Sequence, residues 1–346
     1  MKKKKSFTIY DLARKLNYSP STISRALKNH HSISEKTIEI VKKAAEEEGY
    51  RPNILAASLR NNQSKTIGVL VTRINRPFSS SLISGIENAA SKEGYNILIS
   101  QSNDLYKNEV ASVKALFDSR VCGIIATLGM ETENVKHFDQ FAKIGVPVVF
   151  VDRVPADFES YTVVIDNYTA AFNATNHLIE QGCTRIAHFA GAQHLNVYRG
   201  RKKGYVDALI KNGLAVDDSL IITMKSLSAE EGEAATEQLM QTANPPDGIF
   251  CSNDTTAVSA ILTLKKLGVK IPEEVAVIGF NDDPIASIVE PALSTVSHPA
   301  QEMGELCTRR ILQHVLKKEG TPKIEERSVL DTHLIIRASS NRKNNP

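Results

Sequence analysis

Residues 8–27 read TIYDLARKLNYSPSTISRAL, and this stretch decides the architecture of the amino-terminal end of the chain. Thr8 and Asp11 have the T-x-x-D spacing of a capping box, in which the two side chains bond backbone amides of the first helical turn. Apolar residues then recur at i, i+3, i+4 and i+7 from Ile9 to Leu16, so they share one face. The sequence therefore predicts one short amphipathic helix.

A second helix is predicted to begin three residues after the first one ends. Ser19 is a favourable N-cap, and Pro20 stands at the first helical position, where its missing amide proton costs nothing. Ile23 and Leu27 lie on one side of this helix and are expected to face inward. Two short helices joined by so short a turn predict a helix-turn-helix.

The outward side of the second helix carries small and hydrogen-bonding side chains. Arginine can donate to guanine O6 and N7 together, and serine and threonine hydroxyls suit phosphate oxygens. A helix inserted in the major groove of DNA requires such a surface. We therefore predict that this helix binds DNA through Pro20, Ser21, Thr22, Ser24 and Arg25.

A third helix is predicted to begin at Ser34, with Glu35 in its first turn, and to end at Gly49, where a positive φ costs little. The apolar stretch 54–60 is followed by the polar residues 61–64. Seven residues are too few for a stable isolated helix in water, so this segment is helical only when something holds it.

Charge is distributed unevenly along the chain. Residues 1–60 hold 13 Lys and Arg against 6 Asp and Glu, a net charge of +7, and the remaining residues hold 29 against 33, a net charge of −4. A solvated lysine-rich tail at residues 2–5 would explain only four of the basic charges. A basic block ahead of a mildly acidic body is typical of a nucleic-acid-binding arm on a globular protein.

From Lys65 onward, short β-rich runs alternate with amphipathic segments. Near-continuous apolar strands separated by helices are typical of parallel sheets covered on both faces. Two such series predict two doubly wound α/β lobes of roughly 100–150 residues each. The first series has strands at 66–71, 95–100, 121–126 and 146–151, and the second has strands at 185–190, 220–222, 248–252 and 275–280. A helix over 301–318 and a strand over 331–337 complete the prediction.

Polar residues follow several of the predicted strands. Because ligands of such sheets bind beyond the carboxyl ends of the strands, these residues are candidates for a binding site. Several carboxylates and amides converging from different strands would suit a polyhydroxylated ligand, although each Asp or Asn could instead cap the helix after it. The candidates are Asn75, Phe78, Asp152-Arg153, Gly191 onward, Asn253-Asp254 and Asn281-Asp282.

Four segments together resemble the headpiece of the LacI/GalR family of bacterial regulators: TIYDLA at 8–13, SPSTISRAL at 19–27, SEKT at 34–37 and GYRPN at 49–53. The resemblance implies a recognition helix that reads half of a palindromic operator, a homodimer, and a hinge helix at about 53–60 that docks in the minor groove. In that helix Leu59 would intercalate, with Ala56 beside it. The expected DNA-contacting residues are Thr8, Tyr10, Ser19, Pro20, Ser21, Thr22, Ser24, Arg25, Asn53, Ala56 and Leu59.

The resemblance continues into the core. Residues 75–79 (NRPFS) resemble the family's N-P-F-F loop, and residues 201–205 (RKKGY) resemble its R-x-x-G-[YF] helix start, whose arginine often clamps ligand oxygens. Residues 252–254 (SND) and 279–282 (GFND) match two further pocket segments. The expected ligand-binding residues are Phe78, Ser79, Asp152, Arg201, Asn253, Asn281 and Asp282.

These observations predict a helical headpiece with its hinge over residues 1–60 and a periplasmic-binding-protein-like core over 65–346. We expect the amino lobe at about 65–162 and 296–325, and the carboxy lobe at about 163–292 and 326–340. In the family the chain crosses between the lobes three times, and the tail would supply the last crossing. The expected function is a transcription regulator, in the simplest case a repressor, whose operator affinity is controlled by a sugar or sugar derivative, with a purine-type ligand as the alternative.

Other function classes are disfavoured. The chain has no Walker loop, H-E-x-x-H or G-x-S-x-G motif, and no G-x-G-x-x-G follows the first strand, so we expect no enzyme and no cofactor. The four cysteines lack a C-x-x-C pair and His188 lies in an apolar run, so we expect free thiols, a core histidine and no metal site. A small-molecule-binding protein without a DNA role is opposed by the basic headpiece. The lysine-rich start lacks a signal peptide and no apolar run approaches ~20 residues, so we expect a soluble cytoplasmic protein without a membrane segment.

Overall fold

The computed structural model describes residues 7–50, 64–317 and 326–343. The chain divides into two compact units, Met1–Ser64 and Lys65–Pro346. The predicted hinge residues Asn53, Ala56 and Leu59 lie outside the described residues.

The first unit contains the three predicted helices, α1 (Ile9–Leu16), α2 (Pro20–Leu27) and α3 (Glu35–Glu47). The predicted capping box forms, because Thr8 Oγ1 accepts a hydrogen bond from the Asp11 amide at 3.3 Å and the Asp11 carboxylate accepts one from the Thr8 amide at 3.0 Å. Ser19 and Ser34 cap α2 and α3 as predicted. The helices pack around a small core of Leu12, Ala13, Ile23, Ala26, Val41, Ala44 and Ala45.

The second unit consists of two α/β lobes. The amino lobe has a parallel six-stranded sheet in the order β11-β5-β4-β3-β1-β2. Its strands are β1 (Thr66–Val71), β2 (Asn96–Gln101), β3 (Gly123–Ala126), β4 (Val148–Val151), β5 (Tyr161–Ile165) and β11 (Arg327–Leu330). Its helices are α4 (Pro77–Lys92), α5 (Tyr106–Asp118), α6 (Asp139–Ala142) and α12 (Ala300–Val315), with a 3-10 turn at Lys136–Phe138.

The carboxy lobe has a parallel four-stranded sheet in the order β7-β6-β8-β9. Its strands are β6 (Ile186–Ala190), β7 (Ile221–Thr223), β8 (Gly248–Cys251) and β9 (Ala276–Ile278). Its helices are α7 (Asn167–Glu180), α8 (Asn196–Lys211), α9 (Ala229–Met240), α10 (Asp254–Lys266) and α11 (Ile285–Ile288), with a 3-10 turn at Asp218–Leu220. His188 lies in the core as predicted, stacked on Phe250 at 4.8 Å, and burial lowers its pKa to about 4.

Three crossings connect the lobes within the described residues: after β5, before α12 and after β11. A short antiparallel pair of β10 (Thr295–Val296) and β12 (Leu334–Ile335) joins the second and third crossings. Beyond it, the Val277 amide donates to the Ser339 carbonyl, which ties the tail to β9.

The predicted lobe boundaries need two corrections. β5 lies wholly in the amino lobe, because it pairs with β4, although residues from 163 onward were expected in the carboxy lobe. β11 pairs with β5 and so extends the amino-lobe sheet, although 326–340 were expected in the carboxy lobe. The predicted strand over 331–337 shortens to the two residues of β12, and the helix predicted over 301–318 spans Ala300–Val315.

Helices α4 and α12 can approach each other closely because a glycine of each helix lies at the contact. A Cβ atom at Gly85 would lie 2.1 Å from the Gln301 carbonyl oxygen, and one at Gly304 would lie 2.3 Å from the Leu82 carbonyl oxygen. Any larger residue at either position would push the helices apart. α12 also packs on β3, β4 and β5, so it covers one face of the amino-lobe sheet.

Candidate DNA-binding face and ligand-binding cleft

The amino-terminal end of α2 is held by its cap. Ser19 Oγ accepts a hydrogen bond from the Thr22 amide at 3.1 Å and lies 2.8 Å from Thr22 Oγ1 and 2.7 Å from Ser21 Oγ. Pro20 occupies the first helical position. This network fixes the orientation of the first turn of α2, and its hydroxyl groups remain at the surface.

The outward side of α2 presents a free cation. Ser21 and Arg25 are exposed and lie four residues apart on one helical face. The Arg25 guanidinium has no hydrogen-bond or ion-pair partner among the described residues. Tyr10 of α1 is 65% exposed, and Thr8 is exposed as well. The described residues of the predicted DNA-contacting set thus lie outside the headpiece core, at the surface or only half-buried.

A cavity of about 80 Å³, here called the inner cavity, lies between the two lobes of the second unit. Four of its lining residues, Thr72, Thr127, Asp152 and Ser252, directly follow β1, β3, β4 and β8. The cavity is therefore at the carboxyl ends of the strands of both sheets, where parallel α/β folds bind ligands.

Arg201 of α8 is the central basic residue of the cleft. It is only 4% exposed, its Nε donates to Asn167 Oδ1 at 2.8 Å, and its Nη1 donates to the Ser252 carbonyl at 2.6 Å. Its guanidinium carbon lies 3.5 Å from the centre of the Phe280 ring. Burial lowers the pKa of Arg201 to about 10, and no carboxylate among the described residues hydrogen-bonds to it.

Asp152 adopts a left-handed backbone conformation, with φ +62°, directly after β4. Its carboxylate is buried, and Oδ1 has no hydrogen-bond partner among the described residues. The nearest cationic candidate is His298, whose Nε2 lies 3.7 Å away. Burial raises the pKa of Asp152, and burial also lowers the pKa of His298 well below its usual 6.5, so His298 is neutral at pH 7.

Arg153 crosses the cleft. Its Nη1 donates to Asp104 Oδ1 at 2.7 Å and its Nη2 donates to the Tyr198 hydroxyl at 2.8 Å. Arg73 donates to the other Asp104 oxygen at 3.2 Å. Burial alone would raise the pKa of Asp104, but the Arg153 and Arg73 guanidinium groups outweigh it and lower that pKa.

Five residues that line the inner cavity each have one buried side-chain polar atom without a hydrogen-bond partner among the described residues. These atoms are Thr127 Oγ1, Asp152 Oδ1, Arg153 Nε, Ser252 Oγ and His298 Nε2. Arg153 Nε can only donate, Asp152 Oδ1 in its charged form can only accept, and the other three can do either. Because unpaired buried polar groups are costly, such a cluster indicates a place for a ligand or ordered water.

Direct contacts between the lobes close the cleft. Arg76 Nη1 donates to Thr255 Oγ1 at 3.1 Å, and Asn196 Nδ2 donates to the Asp152 carbonyl at 3.0 Å. The inner cavity has room for only a few water molecules, each of which occupies about 30 Å³ in the liquid. A sugar or base therefore requires these contacts to open.

The structure brings six of the seven predicted ligand-binding residues to the inner cavity: Phe78, Ser79, Asp152, Arg201, Asn253 and Asn281. Asn253 also caps α10, because its Oδ1 accepts from the Thr256 amide at 2.8 Å, so for this residue the capping alternative is realised. Asp282 does not line this cavity; its Oδ1 accepts a hydrogen bond from Arg337 at 2.7 Å.

Arg153, a strand-end candidate from the sequence, lines the inner cavity, but sequence reasoning missed three other polar residues of the cleft: Asp104, Tyr198 and His298. Asp104 follows a predicted strand and could have been selected by that signal. Tyr198 lies on α8 one turn before Arg201, on the same side of the helix. His298 lies in a crossing between the lobes, where no strand-end pattern exists.

Within the described ranges, no group of three or more His, Cys, Asp or Glu side chains has the arrangement of a metal site. No helix of those ranges is long and apolar enough to cross a membrane. The described cysteines are free thiols, and three of them are buried.

Each of the two units matches a known protein family. Residues 8–53 match the model of bacterial regulatory proteins of the lacI family, and residues 175–340 match a periplasmic binding protein-like domain. The transcriptional repressor CytR of Escherichia coli (strain K12) is 33% identical over 339 residues, which is 98% of either chain.

Two solved structures resemble the whole chain. The complex of the transcriptional regulator CelR with cellobiose has a TM-score of 0.72 at 27% identity and covers 96% of this chain and 99% of that one. The lac repressor dimer bound to operator and the anti-inducer ONPF has a TM-score of 0.86 at 23% identity, with coverage of 97% and 99%. At that identity the second likeness demonstrates the shared fold alone.

Proposed function

Since this chain belongs to the LacI family of bacterial regulatory proteins, we propose that it is a repressor that binds a palindromic operator as a homodimer. Its affinity for the operator falls or rises when a small ligand binds in the cleft. The observation that carries the proposal is the cluster of five unpartnered buried polar atoms around the inner cavity. The relatives compared above are transcription regulators, and we propose no enzymatic role. A regulator of this kind acts in the cytoplasm, beside the bacterial chromosome.

The DNA-binding part of the proposal assigns base reading to the exposed side of α2. Arg25 is free to donate two guanidinium N–H groups to O6 and N7 of guanine, and Ser21 lies on the same face. One helix reads too few base pairs to be selective, so a second headpiece on a symmetric site is required. Asn53, Ala56 and Leu59 remain predicted minor-groove contacts, outside the described residues.

For the ligand, we propose a sugar or sugar derivative. The residues that line the inner cavity offer both donors and acceptors, which the hydroxyl groups of a sugar require. The relative CelR was solved with cellobiose, which supports this class without fixing it. A purine is the second candidate, because the Phe78 and His298 rings lie 4.4 Å apart and could open to take a planar base between them.

The ligand connects to DNA affinity through the contacts that close the cleft. A ligand that replaces the Arg76–Thr255 and Asn196–Asp152 hydrogen bonds with its own would shift the population of open and closed lobes. Its effect on operator affinity can be no larger than its differential affinity for those two states.

The test has two stages and uses the full chain. Selection from a random double-stranded DNA library should enrich a palindromic sequence, and failure to enrich any site would overturn the DNA-binding proposal. Carbohydrates and purines that raise the melting temperature are then added to the operator complex, whose affinity should change.

Asp152→Asn is the informative variant for the ligand stage. Because Asp152 Oδ1 has no internal partner and Asn tolerates a positive φ, this change should preserve folding while it removes a charged acceptor. Ligand affinity should fall at least about tenfold, as expected for a charge-assisted hydrogen bond. Glu290→Gln, which removes an exposed carboxylate from the same unit, is the matched control, and equal ligand affinity in both variants would exclude Asp152 from the site.

A further inference from the structure

A second cavity, of about 420 Å³ and here called the outer cavity, adjoins the inner one. It is formed by the start of α4, the loop after β9 and the start of α12. The two cavities share five lining residues and are therefore direct neighbours: Pro77, Phe78, Asn281, Asp283 and His298.

The two cavities differ in charge. The inner cavity is lined by three arginines, Arg76, Arg153 and Arg201, together with three aspartates, Asp104, Asp152 and Asp283. The outer cavity is lined by four carboxylates, and no Lys or Arg of the described residues lines it. These carboxylates belong to Asp282, Asp283, Glu302 and Glu305.

Asp283 lies where the two cavities meet. The residue is only 7% exposed, and its amide donates to Asp254 Oδ2 at 2.7 Å. Its own carboxylate accepts no hydrogen bond and forms no ion pair within the part of the chain that the structure describes. Burial, and then the nearby Asp254 carboxylate, raises the pKa of Asp283 to about 7, so much of it is charged at neutral pH.

His298 supplies an independent sign of a ligand at the same junction. It is 8% exposed and lines both cavities, and its Nε2 has no hydrogen-bond partner among the described residues. The Asp283 carboxylate and His298 Nε2 thus both lack protein partners among the described residues, and both residues line the two cavities. A ligand that spans the junction would satisfy both.

We propose that one ligand occupies both cavities and that it carries an amino group which donates to the Asp283 carboxylate. This inference rests on the proposed function and narrows the class of its ligand. The oxygen-rich part of the ligand would lie against the arginines of the inner cavity, and the amine would lie at the acidic end. A neutral hydroxyl also donates to a carboxylate, but it has only one hydrogen to donate, whereas an amino group has at least two. An ammonium in addition compensates the buried negative charge.

Two kinds of molecule carry this chemistry, an amino sugar and an aminated nucleoside, and two matched pairs of probes distinguish them. The first pair is the β-1,4-linked disaccharide of glucosamine and cellobiose, which differ only in the amino groups that replace the 2-hydroxyls. The second pair is adenosine and purine riboside, which differ only in the exocyclic amine.

Each probe is titrated calorimetrically into the full chain, its Asp283→Asn variant and the Glu290→Gln control. We expect one amino compound to bind at least about tenfold more tightly than its partner, and Asp283→Asn to reduce that preference to below about threefold. Glu290→Gln should retain the preference. If the asparagine side chain repacks in Asp283→Asn, a second variant, Asp283→Ser, tests the same loss of preference for the amino compound.

Three outcomes would overturn the inference: neither amino compound binds, both members of each pair bind equally, or Asp283→Asn keeps the preference. If a ligand without an amine still changes operator affinity in these proteins, the proposed function stands and only this inference fails. If no operator can be selected, the proposed function fails whatever the probes show.

Discussion

Arg25 of the headpiece and Arg201 of the cleft carry the same guanidinium group in opposite surroundings. Arg25 is exposed and has no protein partner within the described residues, whereas Arg201 is 4% exposed, holds two hydrogen bonds and has its pKa lowered to about 10. Water satisfies the first group until DNA replaces it, but the scaffold must satisfy the second before any ligand arrives. Substitution of Arg25 should therefore affect binding alone, whereas substitution of Arg201 should affect binding together with stability.

The largest expected effect is at Arg201. Arg201→Ala leaves Asn167 Oδ1 and the Ser252 carbonyl without their buried donor, so the free energy of unfolding should fall by about 2–4 kcal/mol. This loss is measured by urea denaturation, monitored by circular dichroism. Arg201→Lys keeps the positive charge but loses the planar guanidinium group, so its free energy of unfolding should lie between those of the wild type and Arg201→Ala. A loss below about 0.5 kcal/mol would remove the contrast with Arg25.

Arg25→Ala should weaken specific operator binding by about 1–3 kcal/mol and change the unfolding free energy by less than about 0.5 kcal/mol. The loss arises because the variant no longer donates to a base edge, while the helix itself loses no contact. Fluorescence anisotropy with the selected operator and with random DNA measures both affinities. Lys43→Ala, an exposed charge change on α3, is the control, and an equal drop for it would assign Arg25 a general phosphate role.

The cleft can also be tested through the pH dependence of the free energy of unfolding. Burial, and then Asp254, raises the pKa of Asp283 from its ordinary 3.8 to about 7, against the weaker attraction of Arg76. Since the folded state keeps this proton to a higher pH than the unfolded state, the free energy of unfolding decreases as pH rises from about 4 to about 7. Asp283→Asn should flatten that decrease by about 1–2 kcal/mol and stabilise the protein at pH 8. Parallel pH profiles of variant and wild type would contradict the assignment.

The smallest effect is expected for a substitution in the headpiece. Ser19→Ala removes the acceptor of the Thr22 amide at the start of α2 and should cost about 1 kcal/mol of headpiece stability. Ser24→Ala, on the same helix but without an internal hydrogen bond in the described structure, should cost less. Thermal melts of the two variants compare them directly. Equal melting temperatures would mean that α2 does not depend on its cap.

Local signals were readable from the sequence, and distant pairings were not. The caps at Thr8, Ser19 and Ser34 form as predicted because each involves residues within one helical turn. β11 escaped prediction because it is an edge strand whose exposed and buried residues alternate over only four positions. β5, by contrast, has a readable run at 161–165 that was overlooked.

The same distinction holds for the cleft. Asp152 could be selected because it follows a strand, and Arg201 because it lies in a segment that resembles a family motif, although α8 begins five residues earlier, at Asn196. Asp104 binds Arg153, 49 residues away in the chain, and His298 reaches the cavity from a crossing between the lobes. Such placements follow from the tertiary fold, so no local pattern reveals them.

The position of α12 has a consequence for how the chain folds during synthesis. Translation completes β5 at residue 165, but α12, which covers β3, β4 and β5, begins only at residue 300, and β11 ends the sheet at residue 330. At roughly 5–20 residues per second, the ribosome needs roughly 7–27 seconds to make the intervening chain. The sheet of the carboxy lobe has all of its strands by residue 278, while one apolar face of the amino lobe still lacks its helix. The lobe that emerges first from the ribosome is therefore the last to close, and chaperones would meet it in that state.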